Sequence, residues 1–63
     1  MSQKVLDQLH KLAFELSVEV GRALRKSGKY RYVEWADDEL EILEKADGAL
    51  RELVAVLFRK KEG

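Results

Sequence analysis

Apolar residues recur at steps of three and four along most of this chain. Leu6, Leu9, Ala13, Leu16, Val20 and Ala23 form one row, and Leu43, Ala46, Leu50, Leu53 and Leu57 form a second. Such steps put side chains on one face of an α-helix, and their heptad regularity suits helices packed side by side. The pattern predicts one helix over residues 2–26 and another over residues 37–60. Val5, Leu12 and Leu24 widen the first row. Ile42, Ala49 and Val56 flank the second on one side, Leu40 and Val54 on the other.

The predicted ends carry matching signals. Ser2 is a capping residue for the first helix. Arg25 and Lys26 suit the negative end of its dipole, and Gly28 is the natural left-handed residue beyond it. Asp37, Asp38, Glu39 and Glu41 load the start of the second helix with negative charge, with Asp38 and Glu41 at capping-box spacing. Arg59, Lys60 and Lys61 load its other end. Glu41 with Lys45, and Asp47 with Arg51, are i,i+4 pairs worth about 0.2–0.5 kcal/mol each. Asp47-Gly48 is a turn signal elsewhere. Here the apolar row keeps its phase across it, so the helix is read through, at a cost of about 1 kcal/mol for Gly48.

Two helices joined by one connector give an all-α antiparallel hairpin, a single domain over residues 1–63. A hairpin alone hides one narrow stripe per helix, and these stripes are wider. The expected arrangement is a homodimeric four-helix bundle. Its dimer core would be Leu6, Leu9, Leu16, Val20, Leu43, Leu50, Leu53 and Leu57. The runner-up is a hairpin docked as a subunit of a larger complex. Phe14, Val18 and Phe58 lie off the rows. The connector folding back over Phe14 and Val18, or a second chain, would cover them. With Trp35 they are otherwise the candidate partner-binding residues.

The connector is unusual. Lys29 to Trp35, "KYRYVEW", is rich in aromatic and β-branched residues and has strand character. A short extended segment at 29–35 could pair with its own copy in a dimer. The competing reading starts the second helix near Tyr30, because Val33 and Ala36 continue the Leu40–Leu43 steps backwards. The acidic cluster at Asp37 favours the extended form.

Composition sharpens this picture in three places. With 63 residues the chain buries only about 60% of the surface its unfolded form exposes. It has no Cys and one His, so disulfides and a structural zinc site are not expected as staples. Association is the staple that remains. Twelve basic and twelve acidic side chains give zero formal charge, which argues against bulk attraction to nucleic acid. No apolar run reaches a membrane span and no signal peptide is visible, so a cytoplasmic protein with no membrane partner is expected.

Candidate chemistry is sparse. No phosphate loop, nucleophile elbow or metal-ligand spacing is present, so neither an enzyme nor a cofactor or metal site is expected. Asp7 and His10 share a helix face, as they would on many charged helices. Glu19 stands where an apolar residue would fit. It could reach water or pair with a basic residue across the bundle. Arg22, Arg25, Lys26, Lys29 and Arg31 cluster with Tyr30 and Tyr32. Cations beside rings are what single-stranded nucleic acid binding uses. The basic end of one helix beside the acidic start of the next explains the same charges structurally.

Trp35 followed by Glu39, Leu40 and Leu43 resembles the opening of a Myb-type helix. The three-helix repeat and its further tryptophans are missing, so no function is carried over. The length and hairpin architecture are similar to those of the RNA-binding Rop bundles, without a shared motif. The expected function is that of a small self-associating helical interaction protein, an adaptor, regulator or accessory subunit whose partner is a protein. The alternative is a dimeric nucleic-acid-binding regulator using the basic-aromatic segment 22–35.

Overall fold

The computed structural model describes residues 3–62. Two helices lie antiparallel: α1, Gln3–Arg25, and α2, Asp37–Glu62. A 3-10 turn, Gly28–Tyr30, opens the connector between them. The predicted hairpin is therefore present. The Ser2 cap lies outside the described residues. α2 runs unbroken through Gly48, as its apolar phase requires. The Glu41–Lys45 and Asp47–Arg51 pairs form at 3.3 and 3.2 Å.

The helix ends differ in detail from the sequence signals. α1 closes in a Schellman motif: Ser27 N–H donates to Arg22 O at 3.0 Å and Lys26 N–H to Ala23 O at 3.2 Å. The left-handed residue this requires is Lys26, with φ 56°, rather than Gly28. Gly28 also has positive φ, 59°, two residues further on, where it starts the 3-10 turn. Two left-handed residues so close reverse the chain quickly. At the start of α2 the capping box is shifted from Asp38–Glu41 to Ala36–Glu39. Glu39 Oε1 accepts from Ala36 N–H at 2.9 Å, while Ala36 O takes the first helical bond, from Leu40 N–H. Alanine has no side-chain acceptor to return, so the box is half made.

No strand occurs among the described residues, and the extended reading of 29–35 is corrected. Successive tight turns (Tyr30 N–H to Ser27 O, Arg31 N–H to Gly28 O, Val33 N–H to Tyr30 O) carry the chain to an irregular run before Asp37. A lone strand needs a second backbone to pair with. Here the connector instead finds partners on α1. The earlier start of α2, near Tyr30, does not occur either.

The row that joins the helices keeps most of the predicted seam but is turned enough to leave Leu9, Leu16 and Leu53 outside it. On α1 the covered positions are Leu6, His10, Ala13, Ser17, Val20, Gly21, Ala23 and Leu24, with Val18 and Glu19 half-buried beside them. On α2 they are Leu40, Leu43, Ala46, Asp47, Leu50, Val54, Leu57 and Lys61. Ala13, Ser17 and Gly21 recur every four residues, and small side chains let the helices approach. The bulky Leu9 and Leu16 are turned outward as a result. Asp47 sits opposite Gly21: a Cβ there would lie 3.9 Å from Asp47 Oδ1 and 3.3 Å from Arg25 Nη1. Asp47 Oδ1 is buried without a hydrogen-bond partner.

The result is a thin layer of 40 × 20 × 14 Å, hardly thicker than one helix. Among the described residues only Ala13, Ala23 and Leu57 are buried apolar ones. The radius of gyration is 13.7 Å, against about 11 Å for a compact chain of this length. The accessible surface is 5003 Å². A folded chain of 7.3 kDa has about 4,200 Å², so roughly 800 Å² is left in excess.

Candidate functional site

Glu19 organises the connector. Its Oε1 accepts a 2.6 Å hydrogen bond from the Tyr30 hydroxyl and lies 3.0 Å from Lys29 Nζ. Its Oε2 lies 3.5 Å from Arg22 Nη1, one helical turn away. The Tyr30 bond, then that to Lys29, holds the Glu19 carboxyl below its ordinary pKa. The same bonds to Glu19 raise the pKa values of Lys29 and Tyr30. A little further on, Trp35 Nε1–H donates to Ala23 O at 3.3 Å. That carbonyl belongs to the last turn of α1 and also accepts from Lys26 N–H. The connector is thus clipped to α1 at Glu19 and Ala23. It leaves Phe14 more than half exposed.

The predicted basic-aromatic cluster is divided by these contacts. Arg22, Lys29 and Tyr30 are engaged by Glu19. Lys26 is fixed in the helix cap. Arg25 lies over Gly21 beside Asp47. Arg31 and Tyr32 face outward together, the guanidinium 5.9 Å from the ring centroid and Tyr32 86% exposed.

Phe14 and Phe58, from opposite ends of the sequence, come together. They line one open cleft of about 560 Å³ with His10, Arg51, Val54, Ala55 and Arg59. The His10 and Phe58 rings are 6.3 Å apart. Lys61 Nζ reaches His10 Nδ1 at 3.5 Å and Asp7 Oδ1 at 3.1 Å, tying the free ends of the helices together. Val18 is half-buried, and Trp35 lies at the connector, away from the cleft.

The other broad side carries the leucines. Successive helical residues turn by about 100°. Counted from the joining row, Phe14 lies to one side on α1, with His10 at that edge of the row, and Leu9, Leu12 and Leu16 lie to the other. On α2, Ala55 and Phe58 lie to one side, and Ala49, Leu53 and Val56 to the other. In an antiparallel pair, the same rotational sense leads to the same broad side, as the shared cleft demonstrates. Leu9, Leu12 and Leu16 therefore lie beside Ala49, Leu53 and Val56. The register set by Asp7–Lys61 and His10–Phe58 puts Leu12 level with Val56 and Leu16 level with Leu53. Leu12 is 58% exposed and Leu16 53%. Of the proposed dimer-core residues, Leu6, Val20, Leu43, Leu50 and Leu57 are used within the hairpin. Leu9, Leu16 and Leu53 remain open.

Sequence reasoning missed the cleft as a unit. It marked Phe14 and Phe58 as off the rows but not that the hairpin joins them. It also marked Leu12, Ala49 and Val56 as flanks wider than one hairpin can hide, but left them out of the dimer core. No group of three or more potential metal ligands is formed among the described residues. No described helix is long and apolar enough to cross a membrane. Comparisons with protein-family models, curated proteins and solved structures gave no match.

Proposed function

We propose that this chain is a small self-associating helical interaction protein, an adaptor, regulator or accessory subunit that binds another protein. The reading is carried by the open face of Leu9, Leu12 and Leu16 beside Ala49, Leu53 and Val56. Two such faces stacked about a two-fold axis make a four-helix bundle. The excess surface of the single hairpin supports it, because about 800 Å² per partner is what a standard interface uses. The opposite side, with the Phe14–Phe58 cleft, stays free for a different protein. The engagement of Arg22, Lys29 and Tyr30 by Glu19 weighs against the nucleic-acid alternative, since those groups already have an anion.

Analytical ultracentrifugation tests the association. The expected result is a dimer that the paired change Leu12→Glu and Leu53→Glu dissociates. Phe58→Glu, on the other side, leaves it intact. A well-folded wild-type monomer would sink the bundle, and so would a dimer indifferent to the paired leucine changes.

A further inference from the structure

We infer that the Phe14–Phe58 cleft receives an acidic amphipathic helix of a partner protein, one that inserts a single bulky apolar side chain. The inference rests on the reading of the chain as an interaction protein and names the partner's chemistry.

The cleft has an apolar floor and a cationic rim. Phe14 and Phe58, each more than half exposed, form its walls with Val54 and Ala55. The charged groups that line it, Arg51 and Arg59, are both positive, and no carboxylate lines it. Arg51 uses its Nε on Asp47 Oδ2 at 3.2 Å. A guanidinium has five N–H donors, so the terminal nitrogens keep theirs. Arg59 makes no ion pair among the described residues. A volume of about 560 Å³ accommodates one large side chain with room for the backbone that carries it.

The spacing of the cations selects the kind of ligand. Arg51 and Arg59 are eight residues apart on one helix, about 12 Å along its axis, with the apolar floor between them. A single-headed amphiphile presents one anion at one end of its apolar body and leaves one guanidinium unanswered. A helix bearing Glu, a bulky apolar residue four positions on, and Glu four positions further repeats the same spacing. Its carboxylates meet both guanidinia while the central side chain enters the cleft. This chain's own helices carry no exposed triplet of that kind. Glu39, Leu43 and Asp47 have the spacing, but Leu43 and Asp47 are covered within the hairpin; Glu44, Gly48 and Glu52 are exposed and lack the anchor. A second copy is therefore not the occupant.

The test is a titration of the full chain with a stapled helical peptide of about 18 residues, long enough to hold the helix. It bears Glu-x-x-x-Phe-x-x-x-Glu in an Ala/Gln background and a fluorescein label. Saturable binding is expected. Replacing the peptide's Phe by Ala should weaken it about thirtyfold, as for a central anchor. Replacing both Glu by Gln should weaken it about fivefold, as for exposed ion pairs. Arg59→Glu in the protein should reject the acidic peptide and gain binding to one with Lys in place of Glu.

Failure to bind the acidic peptide at low salt would overturn the proposal. So would equal binding of the Gln peptide, or saturable binding of decanoate without binding of the peptide. Sedimentation is measured on the same samples. A dimer that ignores the peptide overturns the cleft proposal alone. A wild-type monomer overturns the bundle and leaves the peptide titration decisive for the cleft.

Discussion

Tyr30 and Glu19, eleven residues apart, are joined by a 2.6 Å hydrogen bond that fastens the connector to α1. Lys29 adds an ion pair to the same carboxylate. The three groups titrate in opposite directions. Glu19 has a lowered pKa, so its contribution is present above the unfolded carboxyl value. It is lost as pH falls through the folded one. Tyr30 and Lys29 have raised values, so theirs are complete below their unfolded pKa values. They are lost as pH rises through the folded ones. The connector should be tightest near neutrality, loosening in acid below about pH 4.3 and in alkali above about pH 10. Trp35 emission followed against pH reads this directly. Glu19→Gln should remove the acid limb while leaving α1 and α2 helical by circular dichroism.

Lys26 holds a left-handed conformation that costs a non-glycine residue roughly 1–2 kcal/mol. Lys26→Gly should stabilise the chain by about 1 kcal/mol, part of the relief being offset by glycine's greater freedom when unfolded. Gly28→Ala should do the reverse: its Cβ meets nothing within 4 Å, but its φ is +59°. Urea denaturation of both variants checks the pair, and the opposite signs are the point of the comparison.

Gly48 lies on the exposed side of α2 with open space where a Cβ would stand. Gly48→Ala should raise stability by about 1 kcal/mol from helix propensity alone. At Gly21 the same change brings a Cβ to 3.3 Å from Arg25 Nη1 and near Asp47. Arg25 can swing aside, so Gly21→Ala should gain less than Gly48→Ala. Thermal unfolding at fixed protein concentration separates them.

Ala36 occupies the cap of α2 and receives Glu39's side chain without returning a bond. Ala36→Ser or Ala36→Asp supplies the missing acceptor for a first-turn N–H. A gain of about 0.5–2 kcal/mol is expected. A matching rise in urea midpoint for both residues, lost again in Glu39→Ala, would establish the reciprocal box.

The helices and their polarity were legible because both rows hold phase over several heptads and both acidic and basic ends agree with the dipole. The rotation about each axis was not. Leu9 and Leu16 fit the apolar row as well as His10 and Ser17 do not. Yet the close approach at Ala13, Ser17 and Gly21 decides which side faces in. Apolar periodicity weighs transfer from water and is blind to side-chain size. The connector was misread for a related reason. Tyr30, Val33 and Trp35 favour a strand locally, but Glu19 and the Ala23 carbonyl, both remote in sequence, offered partners that a strand without a neighbour lacks. The cleft needed the register of the two helices, which no single helix contains.

The 14 Å thickness of the layer has a consequence for chemistry in solution. Among the described residues no side chain is fully enclosed, so little besides helical hydrogen bonding slows deuterium from reaching the amides of an isolated hairpin. Whatever lies against either broad side is then recorded in exchange rates. Slowed amides around Leu12 and Leu53 would mark one contact, and slowed amides around Phe14 and Val54 the other. The molecule is thin enough to act as its own footprinting plate.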